Sequence, residues 1–240
     1  MVPRRAYIAL PDLQVIERPG WSQIITPSFK TGGFNEVSQA VLDEADADAV
    51  IDATIASYRD AGIKFRWAVA PDSAPADLAA RLEQRGLVRS TSLAMIRDTD
   101  LDEPPPPDVT VERVDAANVA EYTQAMAEGW STDPAPLAAA NELVVRSYPT
   151  HRLYLARVAG EPAATAAQVM FERSAYLLGA VVLPRFRRRG LYRALVAARL
   201  ADARASGLAL ATSHARAETS APLLVKLGFA TVCALDVFSG

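Results

Sequence analysis

The sequence predicts a mixed α/β protein whose strands and helices are arranged in two consecutive parts. Three observations lead to this prediction. Runs of strand length alternate with longer segments of helical composition between residues 109 and 240. Four consecutive prolines, Pro104 to Pro107, interrupt the chain before this half. A shorter strand, helix and strand series at residues 65–96 is similar to the end of the chain.

The proline run marks the boundary between the two parts. Proline has no backbone N–H and favours an extended polyproline II backbone, so neither a helix nor a central strand continues through this segment. We therefore predict an N-terminal domain at residues 1–102, a linker at residues 103–108 and a C-terminal domain at residues 109–240.

The C-terminal half contains most of the predicted elements. Pro134 after Asp133 suits the first turn of a helix, and the short connection Glu172-Arg173 indicates an antiparallel hairpin. Strands are expected at 109–114, 152–158, 163–171, 174–183, 208–212 and 230–238, and helices at 116–129, 133–146, 191–206 and 220–226.

The N-terminal half repeats the end of this series in a weaker form, with a strand at 65–69, a helix at 75–85 and a strand at 92–96. Two interpretations stay open. Either any strand–helix–strand unit gives such a pattern, or the fold is duplicated and its first copy has diverged. At an offset of 142 residues, the positions that match are Leu82, Gly86, Leu87 and Leu93 with Leu224, Gly228, Phe229 and Leu235.

Composition argues against several classes of protein. The net charge of −3 disfavours a globally basic nucleic-acid-binding surface. A single cysteine cannot form an intramolecular disulfide, and the two histidines, His151 and His214, lack neighbouring ligands for zinc. No G-x-S-x-G motif, signal peptide or run of 18 apolar residues occurs. We expect a cytoplasmic protein with neither a membrane nor a nucleic-acid partner.

The segment from Gly179 to Leu195 carries the clearest functional signal. A strand leads through Pro184 into an arginine-rich loop that ends at Gly190, and a long helix follows. A helix N-terminus has unpaired N–H groups and the positive end of the dipole, so arginines there are unfavourable unless an anion binds. Glycine also lets phosphates approach the backbone closely. A diphosphate ligand is therefore predicted, with a solvated basic turn as the alternative.

These residues resemble the signature of the GNAT superfamily of N-acetyltransferases, in which an arginine- and glycine-containing loop follows a strand ending in proline. Arg187, Arg189 and Gly190 match the loop, and Ala180-Val181-Val182-Leu183-Pro184 matches the strand. The second marker of the family occurs as Lys226-Leu227-Gly228-Phe229, with one predicted strand between the two markers.

The resemblance covers about residues 109–238 and implies a GNAT fold, which is a mixed, mostly antiparallel, splayed sheet flanked by helices. Residues 1–102 would form a degenerate second copy. The implied activity is that of an acyltransferase, an acetyl-CoA-dependent N-acetyltransferase in which a neutral amine attacks the thioester directly. The pantetheine arm of coenzyme A is expected along Ala180, Val181 and Val182, and its pyrophosphate at Arg187, Arg188, Arg189, Gly190, Leu191, Tyr192 and Arg193.

Two departures from the family pattern affect the chemistry. Tyr192 replaces the last glycine or alanine of the loop; packing away from the phosphates is favoured over covering the cofactor. The tyrosine that often protonates the leaving thiolate is replaced by Leu224, and the asparagine seven residues earlier by Ala217. The catalytic acid is therefore unassigned.

Glu218, His214 and Tyr176 are the candidate acids or bases, and the first two have structural alternatives. Glu218 lies near the expected acetyl group, but a carboxylate there also complements a helix dipole. His214 titrates in the range of a base, with a surface histidine as the alternative. Tyr176 and Glu172, on or before the strand that leads to the cofactor, are candidates for the substrate cleft.

The acceptor has no motif, so small amines, amino-acid derivatives, antibiotics and protein N-termini all stay open. Trp67 and Trp130 either line the substrate pocket or belong to the core, and Cys233 is interpreted as a structural residue. The N-terminal domain either walls the cleft or supports a homodimer. A non-catalytic acyl-CoA-binding regulatory or interaction protein is the alternative function, favoured by the missing tyrosine.

Overall fold

The computed structural model describes residues 6–31, 33–101 and 104–240. The chain packs into two compact units, each of which takes residues from both halves of the sequence. Unit 1 contains the chain up to Ala94 together with Ala215–Ala221 and Thr231–Gly240, and unit 2 contains Met95–His214 and Pro222–Ala230. The sequential boundaries at residues 102 and 109 stay a prediction, and residues 1–5, 102 and 103 of the predicted domains and linker lie outside the described residues.

Unit 1 is a sheet with two helices. The strand order is β1-β2-β3-β4-β11-β5; β1 to β3 are antiparallel, β3 and β4 are parallel, and β11 is antiparallel to β4. The core joins Trp21 and Trp67 of the sheet to Ile51 and Tyr58 of α1 and Leu82 of α2. The elements are β1 (Gln14–Arg18), β2 (Trp21–Ile25), β3 (Glu36–Ala40), α1 (Ala47–Asp60), β4 (Arg66–Val69), α2 (Leu78–Gln84), β5 (Val88–Asp98) and β11 (Ala230–Ser239).

Unit 2 places β6 to β9 in an antiparallel series and adds β10 parallel to β9, with the end of β5 beyond β10. Leu191 and Leu195 of α5 are buried against this sheet. The elements are β6 (Val109–Arg113), α3 (Val119–Trp130), α4 (Pro134–Ser147), β7 (His151–Val158), β8 (Glu161–Met170), β9 (Ala175–Val182), α5 (Leu191–Ala205), β10 (Leu210–Arg216) and α6 (Ala221–Lys226).

The predicted mixed, mostly antiparallel sheet flanked by helices is confirmed, and each predicted strand and helix of the C-terminal half is present. The Asp133 carboxylate accepts a hydrogen bond of 2.9 Å from the Ala135 N–H, so the predicted start of α4 is correct. The strand predicted at 208–212 instead extends to Arg216. In the N-terminal half, β1, β2, β3 and α1 were not predicted.

The element order favours the duplication interpretation of the repeated pattern. The series β3-α1-β4-α2-β5 has the same types in the same order as β9-α5-β10-α6-β11. Both series begin with two strands paired in parallel around a helix, because β3 pairs with β4 and β9 with β10. The similarity therefore starts about 30 residues before the part that the sequence pattern predicted. No helix among the described residues has the length and apolar character needed to cross a membrane.

The end of α3 approaches β9 closely at Gly129. A Cβ at this position would lie 2.7 and 2.8 Å from the two methyl carbons of Val181. Such distances require a shift of the side chain or of the helix. The glycine is therefore needed for packing, although it lowers helix propensity.

We expect Gly129→Ala to lower the free energy of unfolding by up to about 2 kcal/mol, because overpacking outweighs the gain in helix propensity. Urea denaturation measures this change. The double variant Gly129→Ala/Val181→Ala is the control and should recover part of the loss, since it removes both methyl groups from the contact. A more stable single variant would contradict the packing argument.

Candidate functional site

Strands β9 and β10 separate soon after they meet. Their parallel register runs from Ala175 opposite Ala211 to Leu177 opposite Ser213. Beyond these three pairs β9 continues to Val182 and β10 to Arg216. The predicted splay of the sheet is therefore present in unit 2. It leaves one edge of β9 without a neighbouring strand among the described residues, and its backbone groups need other partners.

A β-bulge lies where β9 leaves its parallel neighbour. The register with β8 passes from Ala167 opposite Leu178 to Thr165 opposite Val181, so Gly179 and Ala180 together face one residue. Gly179 has a φ of +64°, which glycine adopts without steric cost. Because a bulge bends and twists its strand, Ala180, Val181 and Val182 follow a new direction along the open edge.

The arginine-rich loop converts β9 into α5. Gly190 has a φ of +77° and Arg188 a φ of +64°, an uncommon conformation for a residue with a side chain. The first hydrogen bond of α5 runs from the Ala194 N–H to the Gly190 carbonyl at 3.0 Å. Within the described part of the chain, no group accepts from the backbone N–H of residues 188–192. These donors lie at a helix N-terminus, where a bound anion would be stabilised.

The arginines around the loop differ in their partners. Arg189 pairs with Asp108 and Arg185 with Glu128 and Glu161, all as exposed ion pairs. Arg187 contacts the Val182 carbonyl at 3.5 Å. Neither Arg187 nor Arg188 has a carboxylate partner among the described residues. Two guanidinium groups thus remain for a bound anion.

The end of the predicted linker rests on this loop. A Cβ at Gly190 would lie 2.9 Å from Cγ of Pro106, and Asp108 forms the ion pair with Arg189. The proline run therefore does more than separate two parts of the sequence. It supports the backbone that carries the open N–H groups, a role that the sequence pattern did not indicate.

Tyr192 is half-buried at the start of α5, and burial raises the pKa of its hydroxyl. The charge of Arg199 opposes that shift. This burial agrees with the interpretation in which Tyr192 packs instead of standing free above the phosphates.

Two of the candidate catalytic residues meet at the point where the strands separate. The Tyr176 hydroxyl lies 2.9 Å from Nδ1 of His214, and the two rings are 5.6 Å apart at 61°. Tyr176 belongs to the last register pairs of β9, and His214 directly follows those of β10. The residues are 38 positions apart, so spacing in the sequence gives no sign of this contact.

The other residues singled out in the sequence differ in their burial. Glu218 is exposed in the turn after β10 and belongs to unit 1, and Glu172 is exposed in the hairpin before β9. Trp67 is fully buried in the core of unit 1, so the pocket interpretation is wrong for it. Trp130 at the end of α3 is 42% exposed, and Cys233 is half-buried.

The geometry at Gly190 gives a stability test. We expect Gly190→Ala to lower the free energy of unfolding by about 1–2 kcal/mol, because alanine is strained at a positive φ. The contact of the added Cβ with Pro106 should lower it by a further ~1–3 kcal/mol. Gly207→Ala at the other end of α5 is the matched control, because its φ is +79° but nothing lies within 4 Å of an added Cβ. Urea denaturation measures the free energy of unfolding of both variants, and the difference between their losses gives the contribution of the Pro106 contact. Equal losses in the two variants would contradict a role for this contact.

Known proteins share this arrangement. A model of the Acetyltransferase (GNAT) family matches residues 116–229, which include β9, the loop and α5. Comparison with curated proteins gave no match.

Solved structures share the fold over nearly the whole chain, at identities that support the fold alone. A GCN5-related N-acetyltransferase from Kribbella flavida has a TM-score of 0.68 at 18% identity, covering 95% of this chain and 89% of that one. A functionally unknown conserved protein from Staphylococcus epidermidis ATCC 12228 has a TM-score of 0.71 at 13% identity, covering 100% and 97%. A tandem GNAT protein from the clavulanic acid biosynthesis pathway has a TM-score of 0.61 at 14% identity, covering 97% and 84%. Residues 116–229 are therefore similar to the Acetyltransferase (GNAT) family, and the chain has the fold of GNAT proteins.

Proposed function

We propose that this protein is an acetyl-CoA-dependent N-acetyltransferase that transfers an acetyl group to an amine by direct attack of the amine on the thioester. The observation that carries the proposal is a pair of open backbone segments on consecutive elements. One is the free edge of β9, and the other is the set of N–H groups of residues 188–192 at the start of α5. A ligand with a hydrogen-bonding arm and a diphosphate end fits these two segments.

The residues present fit coenzyme A at each step. Ala180, Val181 and Val182 follow the bulge on the open edge, where extended backbone pairs with the amides of a pantetheine arm. The N–H groups at the start of α5, with Arg187 and Arg188, would hold the pyrophosphate. When bound, the cofactor supplies the activated acetyl thioester.

The direction of β9 supports a position for the acetyl group. The arginine-rich loop follows the C-terminal end of β9, so a ligand that ran back along the strand from this loop would bring its thioester to the junction of β9 and β10. Tyr176 and His214 occupy that junction. We infer that this pair handles the protons of the reaction.

In this mechanism His214 is protonated and its Nδ1–H donates to the Tyr176 oxygen, which leaves the phenol hydrogen available to a leaving thiolate. Tyr176 would give up that proton and take the Nδ1 proton of His214, and the neutral His214 would then regain a proton from solvent. A histidine is suited to this exchange because its unperturbed pKa lies near neutrality. The amine arrives neutral and loses its proton to solvent after attack.

A second candidate function is a non-catalytic acyl-CoA-binding protein. Leu224, which replaces the family's frequent tyrosine, is a buried apolar side chain of α6. That position therefore supplies no acid. The two functions differ in turnover and agree in cofactor binding, so both measurements are needed. We propose a small-molecule or peptide amine as the acceptor; a homodimer stays a prediction.

Cofactor binding tests the placement of the pyrophosphate. We expect Arg187→Gln and Arg188→Gln each to raise the Kd for coenzyme A by about 10-fold or more in calorimetry, because a charge-assisted hydrogen bond is lost. Arg173→Gln in the β8–β9 turn is the control, since it removes an exposed arginine outside the loop. Unchanged affinity in both loop variants would contradict the proposed site.

Turnover tests the roles of Tyr176 and His214. With an amine panel that includes small amines, amino-acid derivatives, aminoglycosides and peptides, we expect Tyr176→Phe and His214→Gln to lower kcat about 10²- to 10⁴-fold. The Kd for coenzyme A should stay unchanged. The pH profile of kcat should lose one limb in each variant. Coenzyme A binding by the unmodified protein without turnover of any amine would favour the non-catalytic alternative.

A further inference from the structure

Arg199 is a buried arginine in the middle of α5. Its side chain is only 2% exposed, and no carboxylate pairs with it among the described residues. Burial lowers the pKa of its guanidinium, although an arginine keeps its proton in a protein. A buried charge is unfavourable unless its donors are satisfied, so the contacts of this side chain need an explanation.

The carboxylate nearest in sequence is engaged elsewhere. Asp202, three residues further along α5, forms an ion pair of 2.8 Å with Arg152 and accepts a hydrogen bond from the Tyr154 hydroxyl. The charge of Arg199 is therefore offset by the backbone carbonyls to which its guanidinium donates.

The carbonyls that Arg199 reaches lie at the bulge of β9. Nε donates to the Leu195 carbonyl within α5 at 3.0 Å, and Nη1 donates to the carbonyls of Ala167 at 3.1 Å and Leu178 at 3.5 Å. Ala167 and Leu178 are opposite each other and form the last register pair before Gly179 and Ala180. One guanidinium thus joins α5, β8 and β9 where β9 changes direction.

We propose that Arg199 is a positioning residue for the cofactor. Its hydrogen bonds hold the bulge of β9 in place, so that the strand edge after the bulge and the N-terminus of α5 keep a fixed position relative to each other. This inference rests on the proposed function. The two halves of the proposed cofactor site lie on different elements, β9 and α5, and the hydrogen bonds of Arg199 connect them directly. A ligand that spans both halves binds tightly only if they are aligned in advance.

The test compares Arg199→Met with Arg152→Met. Both variants remove a largely buried guanidinium that contacts α5, but Arg152 bonds to Asp202 and, among the described residues, donates no hydrogen bond to β9. We expect Arg199→Met to raise the Kd for coenzyme A and the KM for acetyl-CoA about 10-fold or more. The KM for the amine should stay within about twofold, and Arg152→Met should leave all three values near those of the unmodified protein.

Amide hydrogen exchange of the free protein gives a readout that does not depend on activity. Exchange at residues 178–183 should be faster in Arg199→Met than in Arg152→Met under conditions in which the two variants have the same free energy of unfolding. Arg199→Lys keeps the positive charge and a hydrogen-bond donor. Its affinity for coenzyme A and its exchange at residues 178–183 should therefore lie between those of Arg199→Met and the unmodified protein. If Arg199→Met does not fold, Arg199→Lys carries the same comparison.

The outcomes separate this inference from the proposed function. Suppose that Arg199→Met exchanges faster at residues 178–183 but the unmodified protein binds no coenzyme A. This result would support the hold of Arg199 on β9 and would overturn the proposed function. Normal coenzyme A binding by the unmodified protein, with equal exchange and equal Kd in the two methionine variants, would overturn the role of Arg199. Equal rises of the KM for acetyl-CoA and for the amine would also overturn it, since they would indicate a general structural loss.

Discussion

The separation of β9 from β10 after three residue pairs is the constraint on which the site depends. A parallel strand pair ordinarily satisfies the backbone groups of both members, whereas here one edge of β9 is left open from Leu178 onward. An open edge of this kind tends to pair with other chains unless something covers it. The bulge at Gly179, the loop and the start of α5 lie on or directly after this edge, so in the proposed function one ligand would cover the edge and the loop together.

Charge distinguishes the two strand–helix–strand series of the chain. In unit 2 the connection into α5 carries arginines at the positive end of a helix dipole, a placement that an anion stabilises. In unit 1 the corresponding connection from β3 into α1 carries Asp43, Glu44 and Asp46, with Asp48 in the first turn. Acidic residues complement the dipole without any ligand and repel a diphosphate. The first series thus keeps the architecture and lacks the anion site.

The parts of the site that the sequence predicts are those encoded locally. The loop Arg187–Gly190 and the marker Leu227–Phe229 are short runs whose residue types follow from backbone geometry and charge, so both were recognisable. Strands β1 to β3 were missed. Strand β1 is exposed along its whole length, and β3 begins with a glutamate, Glu36, that tertiary packing buries, so neither strand gives a simple alternating pattern. The contact between Tyr176 and His214 depends on the register of β9 with β10, and the burial of Arg199 on the fold of β8 and β9 around it. Neither the contact nor the burial can be deduced from the spacing of residues in the sequence.

The same register explains how acid–base chemistry is possible without the family's frequent tyrosine on α6. Tyr176 and His214 lie on the two strands that diverge, so in the proposed function one backbone arrangement would position both the proton-handling pair and the thioester. Groups held on strands are placed more precisely than groups on loops. Under that proposal, alignment of β9 would be a requirement for binding and for chemistry alike, and the hydrogen bonds of Arg199 to the carbonyls of Ala167 and Leu178 would support it.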